Sequence, residues 1–153
     1  MNNCGDSVEK INMDDVLEFI DEFRFLSNFW PCEVTFDGVT YPSIEHAYQA
    51  AKTLDLDARE KIRILDTAGK AKRVGKQVNL RSDWEEIRLG VMKDLVNQKF
   101  KKQNFLDELC KIKGKIAEGN NWGDTYWGVD KKGKGQNNLG KILMEIRDKN
   151  TPA

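Results

Sequence analysis

Cys32-Glu33-Val34-Thr35-Phe36-Asp37-Gly38-Val39-Thr40-Tyr41-Pro42-Ser43-Ile44-Glu45-His46-Ala47-Tyr48-Gln49-Ala50-Ala51-Lys52 changes its hydrophobic period partway along. Cys32, Val34 and Phe36 alternate with Glu33 and Thr35, which is strand spacing, and Asp37-Gly38 is the dipeptide of a two-residue hairpin turn. Val39-Thr40-Tyr41 brings the chain back, so a small antiparallel ribbon is expected near residues 32–41. Ser43 then reads as the N-cap of a helix. With about 3.6 residues per turn, Glu45, Gln49 and Lys52 fall on one stripe of that helix. An acid, an amide and an amine along one side of a core helix are either a salt-bridged brace or a site.

Working outward, helix dominates. Asp57 with Glu60 and Ser82 with Glu85 both have capping-box spacing and predict two more helix starts. From Trp84 the positions Ile87, Val91, Met92, Leu95, Val96 and Phe100 keep helical spacing for about four turns. A further helix begins near Asn104, and a last one after Asn138 turns Leu139, Ile142, Leu143 and Ile146 inward and ends on Arg147 and Lys149. The fold class expected is mainly α (α+β), with a flexible N-terminus over 1–12, one domain over 13–149 and a loose end over 150–153.

Bulk properties narrow the function classes. The 153 residues are 39% hydrophobic, enough for one packed core. Twenty-five basic residues balance twenty-five acidic ones, which argues against a protein living on the phosphate field of nucleic acid. No apolar run approaches the ~18 residues of a membrane helix, and the polar start is unlike a signal peptide, so a cytoplasmic protein without membrane partner is expected. Cys4, Cys32 and Cys110 show neither paired number nor CxxC spacing and read as reduced thiols. His46 is the single histidine, so no metal site is expected.

Four groups of residues can carry chemistry. Glu45 lies in the first turn of its helix, where the dipole favours the carboxylate and burial opposes it. Phe25-Leu26-Ser27-Asn28-Phe29-Trp30-Pro31 is an aromatic loop holding two short polar side chains. Lys70, Lys72, Arg73, Lys76 and Arg81 follow one another with no acid between them, as a phosphate subsite or as a solvated basic face. Asn120-Asn121-Trp122-Gly123-Asp124-Thr125-Tyr126-Trp127-Gly128 packs three aromatics around an acid with neither helical nor strand period. Aromatic faces there can sandwich a heterocycle with Asp124 as a second carboxylate, or the acid can simply bond a turn's amides. Gly128 to Lys134 approaches a P-loop, but Gly135 replaces the serine or threonine that ligates magnesium, and no buried strand precedes it. Gly133-Lys134-Gly135-Gln136-Asn137-Asn138 remains as a phosphate-holding helix start with free amides, or as a flexible glycine loop.

These segments together resemble the NADAR family of YbiA-like N-glycosidases. The resemblance runs through Phe25 to Lys52, Leu80-Arg81-Ser82-Asp83-Trp84 with Val91-Met92, Asp124 to Gly128, and Gly133 to Gly140 with Leu143 to Arg147, in that order. Its most specific part is Ser-Asn-Phe followed by Glu-His-x-x-Gln-x-x-Lys. It departs at Val129-Asp130-Lys131-Lys132, where many relatives have a glycine-rich turn. The resemblance implies a compact helical fold and hydrolysis of a ribosyl C1′–N bond with no metal or cofactor. It also implies that Glu45, Trp84 and Asp124 are the essential residues. Phosphorylated ribosylamino-pyrimidine intermediates of riboflavin biosynthesis are the first substrate reading. ADP-ribosylated guanine in nucleic acid is the alternative, and a non-catalytic module binding ADP-ribose or NAD is a third. The chemistry adds Lys52 as a possible Schiff-base nucleophile. Ser27, Asn28, Phe29, Gln49, Arg81, Tyr126, Trp127, Gly128, Lys134, Asn137 and Asn138 complete the expected substrate contacts.

Overall fold

The computed structural model describes residues 14–152. The expected flexible stretch 1–12, Cys4 and Ala153 lie outside them. In chain order come a 3-10 turn Asp21–Leu26, β1 Pro31–Phe36, β2 Val39–Ser43, α1 Ile44–Ala51, α2 Leu56–Arg63, α3 Ala68–Gly75, α4 Trp84–Phe100, α5 Gln103–Cys110 and α6 Asn138–Asn150. Among the described residues the fold is therefore mainly helical with one two-stranded antiparallel sheet. No helix there is long and apolar enough to cross a membrane. The described residues form two compact units, residues 19–107 and residues 14–18 with 108–152.

The hairpin forms because both central residues of its turn take positive φ, Asp37 at 48° and Gly38 at 78°, the handedness that matches twisted strands. Phe36 pairs with Val39 and Thr35 with Thr40. Cys32, Val34 and Tyr41 point into the core while Glu33, Thr35 and Thr40 stay exposed. Arg59 of α2 fixes the turn from outside, donating from Nη1 to Asp37 at 2.8 Å and from Nε to the Thr53 carbonyl at 2.7 Å.

Ser43 caps α1 as expected, its hydroxyl accepting from the His46 amide. Every residue of α1 is buried, polar ones included. α4 packs against α1 and β1 through Trp84, Met92, Leu95, Val96 and Phe100.

Two helix starts differ from expectation. α2 begins at Leu56, and its cap is Asp55, which accepts from the amides of Asp57 and Ala58. Glu60 does not reach back to Asp57; it takes both ends of the Arg63 fork at 2.8 and 2.6 Å. α4 begins at Trp84 behind Asp83, which makes no capping bond. The Asp83 carboxylate instead holds Arg81, at 2.7 Å to Nε and 3.3 Å to Nη2, a charge-assisted pairing stronger than a neutral cap.

In the other unit, short parallel bridges join Val16 to Ile116 and Gly119 to Val129. Leu139, Ile142, Leu143 and Ile146 of α6 are buried. That helix runs to Asn150, and the Thr151 hydroxyl donates to the Arg147 carbonyl at 2.8 Å. Cys32 and Cys110 are free thiols.

Candidate active site

In the unit of residues 19–107 the site grows from α1. A buried helix must satisfy each polar group it carries. His46 is satisfied twice: Nδ1 stands 2.7 Å from the Ser43 hydroxyl and Nε2 stands 3.0 Å from the Leu65 carbonyl. A carbonyl only accepts, so Nε2 carries the proton and the Ser43 hydroxyl donates to Nδ1. Burial lowers the His46 pKa from 6.5, which keeps that neutral tautomer in place. His46 is thus a structural residue of the helix start.

Glu45 is 7% exposed, and its Oε2 accepts from Gln49 Nε2 at 2.6 Å. Its amide donates to the Asn28 carbonyl at 3.0 Å, which ties the helix to the aromatic loop. The expected stripe is therefore real, with the amide one turn on holding the carboxylate. Gln49 is itself pinned from behind. A Cβ on Gly75 of α3 would stand 2.0 Å from Gln49 Oε1, so α1 and α3 meet there only because residue 75 has no side chain. Gln49 Oε1 and Asn28 Oδ1 are buried acceptors with no partner among the described residues.

Lys52 follows α1 as its C-terminal cap. Its pKa is lowered from 10.5 chiefly by burial, with Lys72 and Lys76 pushing the same way and Glu45 opposing. Its Nζ lies 5.7 Å from the centre of the Tyr48 ring, and Tyr48 packs on Trp84 with ring centres 5.1 Å apart. Trp84 is 4% exposed, so it works as a packed wall. Phe29, in contrast, is exposed and lies under Lys72, 5.9 Å from Nζ to ring centre. Arg81 braces the end of α1, its amide donating to the Lys52 carbonyl at 2.7 Å while Asp83 grips its guanidinium. Ser27 shapes the loop through its hydroxyl, which accepts from the Phe29 amide at 3.1 Å.

The remaining expected residues form their own group in the other unit. Asp124 Oδ1 accepts from the amides of Tyr126 and Trp127 at 3.1 and 2.9 Å. Asn120 clamps the same residue by exchanging hydrogen bonds with its backbone. Tyr126 and Trp127 meet edge to face with centres 4.7 Å apart. Gly128 packs so closely that a Cβ would lie 2.0 Å from the Glu118 carbonyl. The start of α6 is not open to an anion in the expected way. The amides of Gln136, Asn137, Asn138 and Leu139 donate to the carbonyls of Thr125, Gly128, Tyr126 and Trp127. Asn137 adopts the left-handed conformation at φ 53° and uses both side-chain ends on the Ile116 carbonyl and the Glu118 amide. Asn138 Nδ2 donates to the Tyr126 carbonyl at 3.0 Å. Lys134 is exposed, and its amide donates to Asp130 at 2.9 Å. Among the described residues no group of three or more His, Cys, Asp or Glu side chains is placed to hold a metal ion.

Sequence reasoning passed over Tyr48, Gly75 and Lys99. Tyr48 gives no signal beyond its place in a helix. Gly75 is a glycine inside a basic helix, and Lys99 is a cation on the apolar stripe between Val96 and Phe100, so both were visible as exceptions to pattern.

The sequence model of the NADAR domain matches residues 17–149. N-glycosidase YbiA of Escherichia coli (strain K12) is 35% identical over 150 residues, covering 92% of this chain and 92% of that protein. A riboflavin biosynthesis protein of Vibrio vulnificus (strain YJ016) is 36% identical over 127 residues, 81% of this chain. The chain spans 35% of that relative's length. The NMR structure of the E. coli protein YbiA superposes with a TM-score of 0.77 at 33% identity, covering 93% of this chain and 88% of that one.

Proposed function

We propose, starting from the fact that this chain belongs to the NADAR domain family, that it is an N-glycosidase for phosphorylated ribosylamino-pyrimidines. The observation that carries the reading is the buried Glu45 carboxylate, oriented by Gln49 and electrostatically coupled to an amine, Lys52, whose pKa burial lowers. In the net reaction the C1′–N bond breaks, water supplies oxygen to C1′, and the departing nitrogen gains a proton. Charge develops at C1′ in an oxocarbenium-like transition state, which a fixed carboxylate stabilises. Lys52 has two uses. Protonated, it donates to the leaving nitrogen; neutral, it adds to C1′ of the ring-opened imine, the resulting aminal expels the original nitrogen with a proton, and water hydrolyses the Schiff base left on the lysine. Tyr48 and Trp84 keep the lysine's surroundings apolar. Lys72 and Lys76, whose charges reach Lys52, are suited to the substrate phosphate. Asp124 enters the reading on the motif it shares with the family. A cytoplasmic setting goes with such a substrate.

The test is incubation with a ribosylamino-pyrimidine 5′-phosphate and detection of ribose 5-phosphate. Glu45→Gln is expected to lose roughly 100-fold or more in kcat while keeping its fold. Borohydride should trap a sugar adduct in the wild type and not in Lys52→Ala. Release of ADP-ribose from ADP-ribosylated guanine, with no turnover of the pyrimidine, moves the substrate class to the nucleic-acid alternative. Ligand binding without turnover of either leaves a binding module.

A further inference from the structure

Lys99 has no part in the reaction just described, yet it is the most unusual placement in its unit. It is 0% exposed, on the face of α4 that packs inward. Its Nζ lies 5.6 Å from the centre of the Phe100 ring and 5.4 Å from that of Phe105, and it donates to the Ser27 carbonyl at 3.0 Å. Among the described residues the charged and titratable groups facing it are Cys32 on β1 and Lys102 beyond the end of α4, and no carboxylate is among the charges that shift it. A buried amine without a counter-charge costs stability that a leucine or methionine would not.

Backbone satisfaction does not explain the amine. The Ser27 carbonyl already accepts from the Trp30 amide at 3.1 Å, closing the turn that presents Asn28 and Phe29. Lys99 is a second donor on an acceptor that has one. What the second donor adds is direction. Two turns earlier on α4, Met92 receives Asn28 Nδ2 at 3.5 Å, so α4 holds Ser27 and Asn28 at adjacent points. The Asn28 carbonyl in turn accepts the Glu45 amide. One path of short contacts therefore runs from Lys99 through the Ser27-Asn28 backbone to the residue that bears the carboxylate.

We propose that Lys99 is a positioning residue for Glu45: it pins the Ser27 carbonyl, and this fixes the Asn28 carbonyl under the first turn of α1 and the Asn28 side chain beside it. The proposal rests on the glycosidase reading for its kinetic consequence but not for its geometric one, so the two are tested separately. Lys99→Met keeps length and apolar stem while removing the donor. In the folded variant, amide hydrogen exchange at Glu45 should speed up roughly tenfold or more while exchange at Ala50 changes little. With the ribosylamino-pyrimidine phosphate, kcat should fall roughly tenfold or more and KM change by less than about threefold, the split expected for a displaced reacting group. Unchanged Glu45 exchange overturns the proposal. Faster exchange at Glu45 with kcat intact overturns its kinetic half. No turnover by the wild type sinks the glycosidase reading and leaves the exchange result to decide on Lys99. Should Lys99→Met not fold, the wild type decides: the Ser27 carbonyl carbon resonance should follow the Lys99 titration, and a resonance flat across it overturns the contact.

Discussion

Replacing Lys99 by methionine should change the pH dependence of stability in a direction opposite to that of an ordinary ion pair. Burial holds the Lys99 pKa at about 7 against 10.5 for a solvated lysine, with Cys32 raising it slightly and Lys102 lowering it. The folded state therefore binds fewer protons than the unfolded chain between those two values, and stability rises with pH across that window. Below the folded pKa the cost of burying the charge is fully present; as pH climbs towards the unfolded pKa it disappears. At about 1.36 kcal/mol per pH unit of full difference, the wild type should gain about 3 kcal/mol between about pH 6 and about pH 9 through this group alone. Other groups titrate as well, so the quantity to follow is the difference between wild type and Lys99→Met. Urea unfolding at several pH values measures it, and 3 kcal/mol corresponds to a relative midpoint shift of roughly 1 to 3 M. At the acid end the methionine variant should be the more stable one, because it removes a buried charge and loses only one hydrogen bond of about 1 kcal/mol. A difference that stays flat within about 0.5 kcal/mol across the range would refute the reasoning, since it would mean the amine keeps its proton or finds water in the folded state.

Two further substitutions separate packing from chemistry. Gly75→Ala places a methyl where Gln49 Oε1 now sits, so it should cost about 1 to 3 kcal/mol and release Glu45 from its amide partner, with kcat falling more than thermal stability accounts for; kinetics beside a melting curve check it. Asp124→Asn keeps an oxygen for the amides of Tyr126 and Trp127 but removes the charge. A stable variant without turnover gives the carboxylate a chemical role, and a stable variant with full turnover leaves it a turn-former.

What could be read from the sequence was what local chemistry determines. Asp37-Gly38 specified the hairpin because its turn needs two positive φ values, and Ser43 specified the start of α1 because its hydroxyl lies within reach of the His46 amide. Where two local signals competed, the spacing rule picked the wrong winner. Asp55 and Asp57 both fit as caps, and Asp83 was spent on Arg81 instead of on α4. The start of α6 failed for a different reason. Its glycines and lysine look like an anion cradle, but four of its amides are consumed by the carbonyls of residues 125 to 128, a long-range pairing invisible to local pattern. Gly75 and Lys99 were legible only as anomalies, because what makes each matter is a neighbour far along the chain: Gln49 for one and Ser27 for the other.

The half-buried Lys52 and the buried Lys99 make the division of labour between tuning and fixing explicit. Both Lys52 and Lys99 have lowered pKa values, and in both burial is the largest cause. Their surroundings differ in kind. Beyond burial, Lys52 feels charges of both signs, Glu45 on one side and Lys72 and Lys76 on the other. On the proposed reading an arriving phosphate would offset the two cations, and a change in the Glu45 charge would remove the opposing push, so its protonation would answer to substrate and to the progress of the reaction. Lys99 faces aromatic rings, a thiol and a backbone carbonyl that is part of a closed turn. These groups belong to the fold, and the protonation of Lys99 follows pH through its pKa of about 7. A group that must exchange protons during turnover needs the first environment, and a group that must hold backbone in place needs the second. On the proposed roles, the stability given up at Lys99 supports geometry, and the lowered pKa of Lys52 supports chemistry.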